Sequence, residues 1–210
     1  MQRRRLTAAV VATAAALSWF AWESDSIGLK DRFIEKRYAE VEAGALDRSG
    51  QLSRHLIAEA LARHRIAVVV DLTEAIGSAD QLAEEAACRA AGIEHLRFPL
   101  AGDGTGAVEH YAGAIAAIAK AHAMGQKVLV HCSSGSRRAG GVIAAYFLWV
   151  EREGERKSAA EARAEIERVD GDDATSERLI TFLDENAAAI GARLTELGVT
   201  IRAPTPKLGH

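Results

Sequence analysis

Residues 66–72, IAVVVDL, form an almost unbroken run of β-branched and aliphatic side chains. A strand with no polar face is buried on both sides, which points to the interior of a parallel sheet. Upstream, RYAEVEAGALDRSG alternates apolar and polar positions around Ala43 and Gly44, the pattern of a short hairpin. Between these segments Ser53 can cap a helix running through His64, with Leu56, Ile57, Ala60 and Leu61 on one apolar face. The alternation then continues: an Ala-rich helix over residues 78–91 stopped by Gly92, a strand over 93–98, the Gly-rich loop PLAGDGTGA, a helix over 108–124 and the strand KVLVHC. After SSGSRRAG, the segment GVIAAYFLWVE predicts a helix apolar on nearly every side. Ser158 is placed to cap a helix to Val169, GDDAT reads as a turn, an amphipathic helix follows over 176–197, and the tail RAPTPKLGH reads as loose. Strands alternating with helices of this length imply βαβ units, and so an α/β fold with a central, mostly parallel sheet flanked by helices.

The 210 residues suit one domain and are too few for two of ordinary size. Aromatic residues make up only 5% of the chain while Ala dominates its apolar content, so the core is expected to be small and aliphatic. Net charge is −3; without Arg3, Arg4 and Arg5 the balance is 23 basic against 29 acidic residues, which argues against a nucleic-acid partner. The two cysteines, Cys88 and Cys132, are too few for a disulfide framework, and the seven histidines show no HxxxH or HExxH pattern. No metal and no cofactor is predicted.

After MQRRR, residues 6–22 (LTAAVVATAAALSWFAW) carry no charge and are followed by the polar ESDS. A basic start before an apolar run is the pattern of a signal anchor or signal peptide, assigned here to residues 1–26. Small residues at cleavage spacing are poor near its end, which favours a retained anchor. Trp19 and Trp22 would mark the far interface, and the positive-inside rule would put the rest of the chain outside the cytoplasm. The expectation is a membrane-anchored protein with an extracytoplasmic domain, the alternative a secreted or periplasmic one after cleavage. Residues 27–43 then read as linker and domain entry, 44–200 as the domain and 201–210 as the tail.

The chemistry concentrates in VLVHCSSGSRRAG, where an apolar strand passes through a Ser/Gly loop into an apolar helix. A helix N-terminus and a curled loop both aim backbone N–H groups at one point, which is an anion site. Cys132 at the start of that loop would have its thiolate stabilised by those donors and become a nucleophile near neutral pH. An arginine at the far end can hold two phosphate oxygens at once, as lysine cannot. Ser133, Ser134, Gly135, Ser136 and Arg137 would line the bound group.

Cys132, five residues and Arg138, with His131 before and Gly135 inside, resemble the HCxxGxxR signature of the cysteine-dependent protein tyrosine and dual-specificity phosphatases. The resemblance extends over residues 46–197, through RSGQLS, VVVDL and the Gly92 to Pro99 segment, and includes the inositol-pyrophosphate phosphatases of the same compact fold. It implies a three-layer architecture, a phosphorylated substrate, Cys132 attacking phosphorus and Arg138 binding phosphate through the transition state. It also implies a general acid on a mobile loop about thirty residues earlier, and Asp103 in AGDGTG lies 29 residues before Cys132, with Glu109 in reserve. His131 is expected to order the loop by hydrogen bonds. Arg48 is expected either to reach the substrate or to form a surface ion pair, and Cys88 to be a small core residue or else a redox partner of Cys132.

One position departs from the family. Ala139 stands where a Ser or Thr usually follows the arginine, and that hydroxyl helps the cysteine leave in the second step. Its absence predicts slow dephosphorylation unless Ser133, Ser134 or Ser136 substitutes, or else a module that binds phosphate with little catalysis. Read with Arg137 instead, CSSGSR resembles the shorter loop of rhodanese-type sulfurtransferases, which cradles a persulfide. The Gly-containing longer register and the Asp103 loop favour Arg138.

Overall fold

The computed structural model describes residues 30–152, 157–170, 174–203 and 205–209. The apolar stretch 6–22 lies outside them, as does the 171–173 part of the expected turn. Among the described residues no helix is long and apolar enough to cross a membrane. The chain divides into a unit ending at Ile34, of which one helical turn (Lys30–Phe33) is described, and a second unit, Glu35–His210, that carries the sheet and its covering helices.

The second unit is built on a five-stranded sheet in the order β1 (Ala39–Glu42), β2 (Leu46–Gly50), β5 (Val128–Cys132), β3 (Val68–Asp71), β4 (Glu94–Arg97). The β1–β2 hairpin is antiparallel and every other pairing is parallel, so the sheet is mostly parallel as expected, and the hairpin forms its edge. Its register aligns the ends of three strands. Gly50 lies opposite Cys132, and Asp71 opposite His131, so β2, β5 and β3 finish side by side at their carboxyl ends.

Helices cover both faces, as the run of apolar strands requires. Helices α1 (Ile57–His64) and α2 (Ala79–Ala91) pack on one face around Val69 and Leu129. Helices α3 (Val108–Ala123), α4 (Arg137–Trp149), α5 (Ala159–Asp170) and α6 (Ala174–Glu196) form the thicker layer over Val68, Val70, Val128 and Val130. Every α4 residue from Arg138 to Trp149 is buried, which explains a helix apolar all round. A Cβ on Gly140 would stand 2.6 Å from the Glu165 carbonyl oxygen, so the α4 and α5 backbones approach closely only because that side chain is absent.

Local signals explain most boundaries. The Ser78 hydroxyl accepts from the Gln81 N–H at the start of α2, and Gly92 ends that helix in the left-handed region. At α5 Ser158 and Glu161 form a reciprocal capping box. Two expectations are corrected. Helix α1 starts at Ile57, because the Ser53 carbonyl closes a turn onto the Leu56 and Ile57 N–H groups first. The tail is docked: Ile201 bridges Val150, Leu208 is 3% exposed, and the buried indole of Trp149 donates to the Pro206 carbonyl at 2.9 Å. A buried indole N–H needs an acceptor, and the tail supplies it.

Candidate active site

Strand β5 delivers Cys132 to the carboxyl edge of the sheet, and residues 133–136 curl before α4 begins at Arg137. Gly135 makes the curl possible: its φ is +75°, and a Cβ there would stand 2.4 Å from the Gly50 nitrogen. The Gln51 N–H and the Arg37 guanidinium tie the outer side of the loop, donating to the carbonyls of Ser133 (3.3 Å) and Ser134 (3.1 Å). The inner side is held by Arg48 of β2, which is 1% exposed. Its guanidinium donates to the carbonyls of Gly135 (2.9 Å) and Ser136 (3.2 Å), and from its other nitrogen to both the carbonyl and the carboxylate of Glu165, each at 2.8 Å. Arg48 is therefore neither a substrate contact nor a surface pair; it braces the loop from behind.

These constraints turn the loop N–H groups inward. The Gly135 N–H lies 3.2 Å from Cys132 Sγ. Burial alone would raise the thiol pKa, but the N–H groups of Ala139, Gly135 and Ser136, together with the Arg138 charge, outweigh it and hold Cys132 below its ordinary range. Arg138 is itself buried, its guanidinium donating to the Leu72 and Leu100 carbonyls at 3.3 and 3.4 Å. Arg137, by contrast, is half-buried, Ser133 is exposed and Ser134 half-exposed, so the arginines have separate places. Ala139 is fully buried with its N–H at the sulfur.

Asp103 occupies the loop before α3. The next residue, Gly104, abuts the start of α4, since a Cβ there would stand 3.5 Å from the Arg137 carbonyl carbon. The Tyr111 hydroxyl donates to the Gly104 carbonyl and fixes the loop from inside the core. Asp103 Oδ1 accepts from both the N–H and the hydroxyl of Thr105, at 3.0 and 2.8 Å, and these bonds lower its pKa. In this arrangement the carboxylate is stabilised as an anion. Glu109, the reserve, is exposed in the first turn of α3.

His131 does not order the loop by hydrogen bonds, as the sequence led us to expect; it points to the opposite face of the sheet. Its Nε2 lies 2.9 Å from Glu84 Oε1 and 3.7 Å from Asp71 Oδ1, all three side chains being about 1% exposed or less. Burial would depress the imidazole, but the charges of Glu84, Asp71 and Cys132 raise it to about 9. His95 Nε2 closes on the same Glu84 oxygen at 3.0 Å. Asp71, Glu84, His95 and His131 are donor types that bind divalent metals, and their atoms fall within 4.8 Å of one another. Their oxygens are already engaged, however: Asp71 by the Thr73 N–H and Arg97, Glu84 by Gln51. The group reads as a closed ion network.

Glu84 is the residue that sequence reasoning passed over. A signal existed, because Gln81, Glu84 and Cys88 fall at helical spacing on the buried stripe of α2. Cys88 packs against Leu129 and Val69, in a different apolar cluster from that of Cys132, and burial pushes its thiol up to about 12. It is a core residue, not a redox partner.

Residues 49–152 match the family described as Tc-R-P, polymorphic toxin system, DSP-PTPase phosphatase. No curated protein matches the chain. Among solved structures, PTPMT1 is 19% identical with a TM-score of 0.57, covering 76% of this chain and 99% of its own. TpbA of P. aeruginosa is 17% identical (TM-score 0.54; 77% and 96% covered), and the catalytic core of the S. cerevisiae PP-IP phosphatase SIW14, solved with citrate, is 14% identical (0.55; 79% and 97%). At such identities the structures establish a shared fold, and the family match spans the strand, the loop and the helix that build the Cys132 site. Residues 49–152 thus match a DSP-PTPase phosphatase family, on a fold that the chain shares with PTPMT1, TpbA and SIW14.

Proposed function

We propose that the chain hydrolyses phosphate monoesters through a cysteinyl-phosphate intermediate. The observation that carries this reading is the convergence of the Gly135, Ser136 and Ala139 N–H groups and the Arg138 charge on a buried cysteine sulfur. Such a cluster of donors suits an anion with several oxygens, and it accepts developing charge without reorganising. Cys132 Sγ attacks phosphorus, the ester P–O bond breaks, and the leaving oxygen takes a proton from Asp103. Water then attacks the S–P bond, Asp103 takes its proton, and the thiolate departs with inorganic phosphate released. The inward position of Arg138 supports the longer register over the sulfurtransferase one.

Asp103 must be protonated for the first step, so the two Thr105 bonds that favour its anion have to loosen when substrate enters. Asp103→Asn is expected to slow hydrolysis of an alkyl phosphate about 10²-fold or more, and of p-nitrophenyl phosphate far less, since nitrophenolate leaves without a proton. Equal losses on both would reassign the acid, with Glu109 next in order.

The second step lacks the hydroxyl usual at position 139. Rapid mixing of the full chain with excess p-nitrophenyl phosphate is expected to give a nitrophenol burst equal to the enzyme present, then a slower steady state. Ala139→Ser is expected to raise that steady rate several-fold, roughly 1 kcal/mol of barrier for one hydrogen bond. No burst and no turnover would favour a phosphate-binding module.

Phosphotyrosine, phosphoserine or phosphothreonine, and inositol or lipid phosphates all present the required monoester. The matching family is described within polymorphic toxin systems. Export through residues 1–26, anchored or cleaved, accords with that setting and would put the site outside the cytoplasm.

A further inference from the structure

We propose that Glu84 is a positioning residue for the nucleophile: it pairs with the buried imidazole of His131, the residue before Cys132, and ties the outer edge of the loop through Gln51. This rests on reading Cys132 as the nucleophile.

A carboxylate 1% exposed inside a protein must be compensated. Glu84 reaches the site by two routes. One oxygen faces His131, the residue before Cys132, at 2.9 Å. The other accepts from the Gln51 side chain at 3.0 Å, and the Gln51 N–H holds the Ser133 carbonyl of the loop. His95 caps the first oxygen at 3.0 Å from β4.

Charge balance shows why the imidazole must be protonated. The groups facing His131 are Glu84 from α2, Asp71 from β3 and the Cys132 sulfur on its own strand, with Arg97 and His95 of β4 behind them. Asp71 is already matched by Arg97 at 2.9 Å and by the Thr73 N–H at 2.7 Å. Glu84 is the nearer carboxylate to His131, at 2.9 Å against 3.7 Å for Asp71. With His131 protonated the buried set is balanced, and the positive ring adds to the field that favours the Cys132 thiolate. With Glu84 neutralised, burial drives the proton off His131 and the thiolate loses that neighbour.

The experiment is the pH dependence of Cys132 alkylation by iodoacetamide in the full chain, which needs no substrate, beside the pH profile of kcat/KM. In Glu84→Gln the alkylation midpoint is expected to move up by half a unit or more, a fall of roughly threefold or greater in rate below the midpoint, with the acid limb of kcat/KM moving alike. A lower melting temperature with an unmoved midpoint would reduce Glu84 to a structural role and overturn the proposal. If the variant does not fold, the wild-type His131 ring observed by NMR decides: it is expected to stay charged to about pH 9, and a proton lost below pH 7 overturns the proposal. A shifted midpoint in a chain that hydrolyses no phosphate ester would support this pairing and reject the phosphatase reading instead.

Discussion

Cys132→Ser is expected to lower phosphate-ester hydrolysis by about four orders of magnitude or more, equivalent to about 5 kcal/mol of barrier. The loop favours a thiolate; its N–H groups and Arg138 bring Cys132 below its ordinary range despite burial. A serine hydroxyl starts so much higher that the same field leaves it protonated and a poor nucleophile. The exchange is nearly isosteric, so the cradle should persist and the variant should still bind inorganic phosphate. Turnover of p-nitrophenyl phosphate and phosphate binding by calorimetry, on the same preparation, separate the two effects. Turnover equal to wild type would sink the covalent mechanism.

Gly135→Ala should be nearly as damaging, for a reason that is steric. The backbone at +75° is left-handed, and a Cβ there would meet the Gly50 nitrogen at 2.4 Å and the Ser49 carbonyl carbon at 2.6 Å. Both belong to β2, a central strand that cannot retreat while Gly50 stays in register with Cys132. The conformational term is about 1–2 kcal/mol and forced overpacking adds about 1–3. Denaturant unfolding should show a loss of about 2–5 kcal/mol, with turnover and phosphate affinity both falling because the loop must open. Retained wild-type turnover would mean that the loop reaches its active shape by another path.

How far the sequence could be read depends on what each residue type encodes. The buried strands, most helices and the order of the βαβ units were legible because apolar periodicity is local. The loop was legible because Cys132, Gly135 and Arg138 must occur at fixed spacing for one chain to wrap one anion. Arg48 and Glu84 were not, since a charged residue on a strand or an Ala-rich helix looks solvated until its partner 117 or 47 positions away is brought beside it. The docked tail failed for the same reason: its acceptor for the Trp149 indole has meaning only in three dimensions.

The Arg48 brace has a consequence for the order in which the loop is assembled. Cys132, Gly135 and Arg138 have all been synthesised once Arg138 leaves the ribosome, yet Arg48 then still lacks the Glu165 carboxylate it pairs with. Glu165 of α5, whose carboxylate pairs with the guanidinium that holds the Gly135 and Ser136 carbonyls, lies 27 residues further along the chain. The loop is thus complete in sequence before its brace is, and a chain that ends short of Glu165 is expected to show a Cys132 less reactive than that of the full chain.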